Sequence, residues 1–247
     1  MKKTLLLGAA LLALSASVAS AAGINFGWND CGGLPASANK NFACTSNTLT
    51  GGTLIGSFIP PAGTTAITGE EIVIDLQSAS VALPAWWQFK NAGTCRQTAF
   101  TTNADFTGGP ASCGDYWAGQ AAGGFSAFNP NIVPGQTNRA RVLMVFAVPP
   151  ALAGPVDDLV EYGAFRFNVL GAKTVGTGAC AGCLDPVCIV LNEIKLTQPV
   201  GVGNYRLQNA AERNYATWQG GAIGVGGCPA VVPAQNRTWG SVKSLYR

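Results

Sequence analysis

The sequence YGAFRFNVL, residues 162–170, decides the fold class of this protein. Its apolar residues Phe165, Phe167 and Val169 alternate with Arg166 and Asn168, a period of two that is typical of a β-strand with one buried and one solvated face. Four other runs have the composition of strands and are bounded by turn residues: 52–59, 71–77, 141–148 and 188–196. These runs predict a protein built mainly of β-strands.

The rest of the chain favours an antiparallel β-sandwich. Residues 142–148 are apolar throughout, which predicts a central strand covered on both faces. One short helix is predicted to begin at Asn209, with Glu212 as its capping-box partner, and to end at Gly220. With 32 glycines and 14 prolines, we expect an all-β, disulfide-bonded sandwich, immunoglobulin-like or jelly-roll-like, with long glycine-rich loops and at most one or two short helices.

The amino terminus has the three parts of an export signal. Met1-Lys2-Lys3 is basic, residues 5–14 are apolar, and Ala19-Ser20-Ala21 has the small-residue form that signal peptidase needs. We expect residues 1–21 to be a signal peptide and residues 22–247 to form a single β-sandwich domain, secreted or periplasmic. The apolar run is too short to cross a bilayer, so no membrane span is expected.

Composition excludes several function classes. The chain has no histidine, which rules out Ser-His-Asp and Cys-His catalysis and imidazole metal sites. Signal removal takes two of the 15 basic residues and none of the 12 acidic ones, leaving a net charge of +1. Nucleic-acid binding needs clustered Lys and Arg, and the close pair Arg139 and Arg141 is typical of a solvated strand face. We therefore expect no nucleic-acid partner.

The eight cysteines all follow the signal, and their even number predicts four disulfides without a free thiol; they are Cys31, Cys44, Cys95, Cys113, Cys180, Cys183, Cys188 and Cys228. Short loops favour Cys31 with Cys44 and Cys95 with Cys113. One of the next three cysteines is expected to pair with Cys228, and the other two with each other. Residues 180–183, CAGC, also have the spacing of a redox dithiol or half a zinc site, but without a helix start or a second ligand pair a structural role is favoured.

Two groups of aromatic and amide side chains lie in polar, glycine-rich segments. They are Trp86, Trp87 and Gln88, and Tyr116, Trp117 and Gln120. Exposed aromatic rings bordered by amides suit a sugar, because a pyranose packs its apolar face on the ring while amides bond its hydroxyls. The alternative is that the rings pack in the core or cover a disulfide.

Asp157, Asp158 and Glu161 form the densest group of carboxylates in the chain. Calcium prefers oxygen ligands, so this group is a candidate calcium site, with a solvated turn as the alternative. No other cofactor is predicted.

The sequence predicts a compartment more firmly than a function. The stretches 28–31 (WNDC) and 180–183 (CAGC) resemble those of exported bacterial proteins, a resemblance that supplies no function. Our first hypothesis is an exported, non-catalytic module that binds a glycan or an extracellular, cell-surface protein. The alternatives are an extracellular, glycosidase-like hydrolase acting through paired carboxylates and a structural subunit of a surface layer or fibre.

Overall fold

The computed structural model describes residues 22–32, 36–108, 112–221 and 228. The predicted signal peptide lies outside these residues. The described chain forms eleven strands: β1 (Gly23–Trp28), β2 (Asn39–Lys40), β3 (Thr53–Ile59), β4 (Gly69–Ser78), β5 (Phe100–Asn103), β6 (Ala122–Pro130), β7 (Arg139–Ala147), β8 (Tyr162–Val169), β9 (Val187–Thr197), β10 (Tyr205–Leu207) and β11 (Tyr215–Trp218). Two 3-10 turns, Ala85–Trp87 and Pro150–Leu152, are the helical elements of this part of the chain.

The strands form two sheets, as the sequence predicts for a β-sandwich. The smaller sheet has the strand order β1-β3-β8-β5, and the larger has the order β2-β11-β9-β4-β7-β6, with β10 beside β9. Every pair of neighbouring strands is antiparallel except β2 and β11. All five predicted strand runs are confirmed, as β3, β4, β7, β8 and β9.

The core lies between the sheets and follows the alternation in the sequence. Ile72 and Ile74 of β4 and Val142 of β7 are fully buried in one cluster with Phe165 and Phe167 of β8. Burial of these side chains supplies the main favourable free energy of folding. Among the described residues, no helix is long and apolar enough to cross a membrane.

The prediction that residues 142–148 are covered on both faces is wrong. Val142, Met144 and Phe146 face the core, but the side chain of Leu143 is half-buried and Val145 is 44% exposed. Strand β7 lies next to the edge strand β6, and its second face belongs to the solvent-facing side of the larger sheet. This run therefore places apolar side chains on the surface.

Two strands of the smaller sheet, in contrast, are covered on both faces. Strand β1 is buried at all six positions and β3 at six of seven. The side chains of Asn25 and Ser57, which are partners in register, both donate to Oε1 of Glu161, at 2.9 and 2.6 Å. The carboxylate of Glu161 thus links β1 and β3 to the start of β8 through two hydrogen bonds.

The predicted helix after Asn209 does not form. The backbone N–H of Ile24 donates to the carbonyl of Asn209, and that of Ala211 donates to the carbonyl of Ile24, so this segment extends along the edge of β1. The N–H groups of Glu212 and Arg213 donate to Oδ1 of Asn25. The backbone donors that would begin a helix are therefore already bonded to β1, and tertiary contacts override the capping pattern.

All eight cysteines pair, as predicted, but most of the predicted partners are wrong. The bridges are Cys31–Cys113, Cys44–Cys183, Cys95–Cys180 and Cys188–Cys228. The pairing of one late cysteine with Cys228 is confirmed, whereas the other three expected bridges are not formed. Doubling a loop raises its closure cost by only about 0.6 kcal/mol, so the positions of the strands decide the pairing.

Candidate functional site

The tryptophans predicted to contact a ligand are buried. Trp86 and Trp87 are fully buried and Trp117 is 1% exposed, while Tyr116 is also buried. The amide of Gln88 is half-buried and donates to the carbonyl of Leu83, and Gln120 is exposed. Because these four rings lie in the core, their predicted ligand-stacking role is corrected to a packing role, which is the alternative that the sequence left open.

Two disulfide-bonded loops explain why Trp86 and Trp87 are buried. The N–H of Trp86 donates to the carbonyl of Ala181, between the bridged Cys180 and Cys183. The ring centroids of Trp86 and Trp87 lie 4.9 and 5.2 Å from that of Trp218, whose indole N–H donates to the carbonyl of Cys183. The CAGC segment therefore holds an aromatic cluster in place.

The bridges also answer the question of a redox dithiol. Cys180 pairs with Cys95 and Cys183 pairs with Cys44, so the two sulfurs of the CAGC segment belong to different disulfides. A dithiol redox centre cycles between two thiols and a bond joining them. These bridges favour the structural role that the sequence predicts.

Tyr116 and Trp117 each find a buried hydrogen-bond partner. The indole N–H of Trp117 donates to the carbonyl of Ala164 at 3.1 Å, and the hydroxyl of Tyr116 donates to Oε1 of Glu70. Glu70 is 1% exposed, and burial raises the pKa of its carboxyl from 4.5 to about 8. This pair is part of the core and is closed to solvent.

The three carboxylates predicted as a calcium site do not converge. Within the described ranges, no group of three acidic or cysteine side chains is arranged to hold a metal. Asp157 accepts the backbone N–H of Leu159, whereas Glu161 is bonded to Asn25 and Ser57. The calcium prediction is therefore corrected: Asp157 closes a local turn and Glu161 is a structural brace.

The solvent-facing side of the larger sheet, called here the outer face, has the features of a binding surface. It displays residues from three adjacent strands: Glu71, Val73, Asp75 and Gln77 of β4; Arg139, Arg141, Leu143 and Val145 of β7; and Val190, Glu193 and Lys195 of β9. Their order follows from the register. Val73 lies between Leu143 and Glu193, and Glu71 lies between Val145 and Lys195.

A groove of about 280 Å³ crosses this face. Its floor is apolar and is formed by Val73, Leu143 and Val145. It extends from Ser126 on β6 to Arg206 on β10 and so crosses five neighbouring strands. Strands lie about 4.8 Å apart, so the backbones of β6 and β10 are about 19 Å apart across the sheet.

Ion pairs border the apolar floor on its β9 side and at one end. Lys195 is paired with Glu71, and Arg206 is paired with Glu193, which also accepts the amide of Gln208. One row further along the strands, Arg141 binds Asp75 through two hydrogen bonds of 2.7 and 2.8 Å. All three ion pairs found among the described residues thus lie on or beside the outer face.

Beyond the Asp75–Arg141 pair lies a second depression of about 120 Å³, called here the polar concavity. Its lining includes the side chains of Asp75, Gln77, Arg139, Val190 and Asn192. Nε of Arg139 and Nδ2 of Asn192 are both buried and have no hydrogen-bond partner. Buried donors without an acceptor are costly in free energy, so two residues around this depression carry N–H groups that an added acceptor would stabilise.

The groove also holds two carboxylates, which is the feature expected of a glycosidase. Glu71 and Glu193 both line it. A glycosidase needs one carboxyl to act as an acid, whereas here each carboxylate is held in an ion pair, Glu71 with Lys195 and Glu193 with Arg206. The arrangement therefore supports binding better than acid catalysis.

Sequence reasoning missed the outer face because it assigned the run 142–148 to the interior. The run itself does not show which residues face outward, because Val142, Leu143, Met144 and Val145 are all apolar. Only the strand order reveals that no further layer of the described chain covers that side.

Comparison with known proteins leaves the family of the chain open. Neither family models nor curated proteins match it. Among solved structures, a cohesin module from Clostridium perfringens ATCC13124 family 33 glycoside hydrolase has a TM-score of 0.37 at 8% identity, over 80% of this chain and 93% of that one. A likeness of this size shows neither a shared family nor a shared function.

Proposed function

We propose that this protein is a non-catalytic binding module, secreted or periplasmic, that docks an extracellular protein on the outer face of its larger sheet. The observation that carries the proposal is the groove, in which Val73, Leu143 and Val145 form an apolar floor beside two ion pairs. Four disulfides support an oxidising compartment. Residues 22–247 would act as one such domain.

The groove fits a protein better than a glycan. A pyranose packs its apolar face on a flat aromatic ring, and all five tryptophans among the described residues are buried. The floor of the groove is aliphatic and its margin is charged, which is the arrangement of protein interfaces with an apolar centre and a polar rim. Aliphatic side chains of a partner would fill the groove while its polar groups meet the ion pairs.

A library of random 12-residue peptides displayed on phage tests this proposal. A peptide of this length is about 18 Å long as a helix and about 40 Å long as an extended chain, so either form covers the floor of the groove. Panning on the full chain should enrich clones that lose at least about tenfold in affinity for Val145→Asp, because a carboxylate on the floor must be desolvated. Val81→Asp is the matched control, since Val81 is 94% exposed and lies away from the groove.

Val145 is exposed enough for its variant to fold, and an unchanged thermal midpoint checks this. The proposal fails if no clone is enriched or if enriched clones bind wild type and Val145→Asp equally. Retention of a soluble polysaccharide by both proteins would instead favour the glycan hypothesis. A concentration-dependent polymer in sedimentation would favour the structural subunit.

A further inference from the structure

The polar concavity has a chemistry of its own, separate from the apolar groove. Two of the residues that line it, Arg139 and Asn192, each hold a buried side-chain N–H group without an acceptor among the described residues. The Asp75 carboxylate lines the same depression, but both of its oxygens are bonded to Arg141. The concavity therefore offers donors that its own acidic residue does not satisfy.

The charges of the outer face also favour an acceptor with a negative charge at the concavity. Its carboxylates Glu71, Asp75 and Glu193 are each paired with a cation. No such partner is found for Arg139 in the described part of the chain. The unmatched charge of the face is thus positive and lies at the concavity, where a guanidinium binds carboxylates through charge-assisted hydrogen bonds.

We propose that the polar concavity binds a carboxylate side chain, aspartate or glutamate, of the protein partner; this inference rests on the proposed function. The volume agrees with it. A depression of about 120 Å³ is about four times the share of one water molecule in the liquid, and the carboxymethyl group of aspartate has four heavy atoms. The partner thus places an acidic residue beside the segment that fills the groove.

The chain's own carboxyl-terminal residues do not supply this side chain. Cys228 is bonded to Cys188, which is the register partner of Gln77 at the concavity. Residues 229–247 contain no aspartate or glutamate and three basic residues. The charge of this segment does not complement Arg139, whereas an acidic partner does.

The test follows the side-chain N–H signals of Arg139 and Asn192 by NMR. The probe is N-acetyl-aspartate amide, and its neutral control is N-acetyl-asparagine amide. We expect saturable shifts of both signals with the acid and at least tenfold weaker binding of the amide, because the neutral probe lacks the ionic hydrogen bonds. Arg139→Gln should remove the response of Asn192, while Arg206→Gln, at the groove, should keep it.

Equal binding of the two probes, or an unchanged response in Arg139→Gln, would overturn the inference. A dimer in sedimentation that Arg139→Gln abolishes would assign the carboxylate to a second copy and overturn the acidic partner. The two proposals fail separately. Peptides that bind the groove and tolerate an acid-to-amide replacement refute this inference alone, whereas binding of the acid probe without any enriched peptide refutes the proposed function alone.

Discussion

Glu70 makes the stability of this protein depend on pH in a predictable direction. Its carboxyl is buried in the core, where it accepts the Tyr116 hydroxyl while Oε2 has no partner. Burial raises its pKa from 4.5 to about 8, although the bond from Tyr116 opposes the shift. Between these values the folded protein keeps a proton that the unfolded chain has released, so stability falls as pH rises.

The magnitude follows from the two pKa values. Each pH unit between about 4.5 and 8 removes about 1.4 kcal/mol from the free energy of unfolding. The contribution of Glu70 is fully present below pH 4.5 and lost above pH 8. From pH 5 to pH 7 the loss is about 3 kcal/mol, a large part of the 5–15 kcal/mol that stabilises a typical domain.

Urea unfolding of the oxidised protein at pH 5, 6, 7 and 8 measures this loss. Glu70→Gln should flatten the pH dependence, because an amide in the same place does not titrate. Glu71→Gln is the matched control and should keep the wild-type slope, since the Glu71 side chain is 52% exposed. Stability that is constant or rises over this range, or an equal slope in Glu70→Gln, would refute the reasoning.

Two further substitutions test the packing that replaces the sequence-based predictions. Trp86→Ala should lower the free energy of unfolding, measured in urea, by roughly 3–5 kcal/mol, because it empties a fully buried site. The control Val81→Ala, at a 94% exposed position, should change this free energy by less than about 0.5 kcal/mol. Equal effects of the two substitutions would show that Trp86 is on the surface. Asn25→Ala should cost roughly 2–3 kcal/mol in the same assay, since it leaves the N–H groups of Glu212 and Arg213 without their acceptor. Glu212→Ala should change the free energy of unfolding little. A large decrease in this variant would support the helix cap that the sequence predicted.

The sequence predicted the long strands and missed those that depend on neighbours. Strand β8 was visible because Phe165, Phe167 and Val169 alternate with polar residues. Strand β6, AGGFSAFNP, has the glycines and proline of a turn. Gly123 is needed there because a Cβ would lie 2.1 Å from the carbonyl oxygen of Val145 on β7, a close approach that only tertiary structure reveals.

The candidate site, like strand β6, depends on contacts between residues that are distant in sequence. The polar segments around Trp86 and Trp117 indicated exposed loops. In the structure, the disulfides at Cys180 and Cys183 fix the segment that packs against Trp86, and the Trp117 indole donates a hydrogen bond to the carbonyl of Ala164, so both rings are buried. No local pattern encodes that packing, because the partners are distant in sequence. The outer face needs the strand order as well, since Val145 is a surface residue only where no further layer follows.

Where a peptide contacts this protein is the most direct test of its function. Methyl and indole NMR signals would be recorded while a peptide enriched by panning is added. We predict that the methyl signals of Val73, Leu143 and Val145 shift, because they line the groove, and that the indole signals of Trp86 and Trp117 stay in place, because those rings are buried. Shifts of the indole signals with unchanged methyl signals would contradict the outer face as the binding surface.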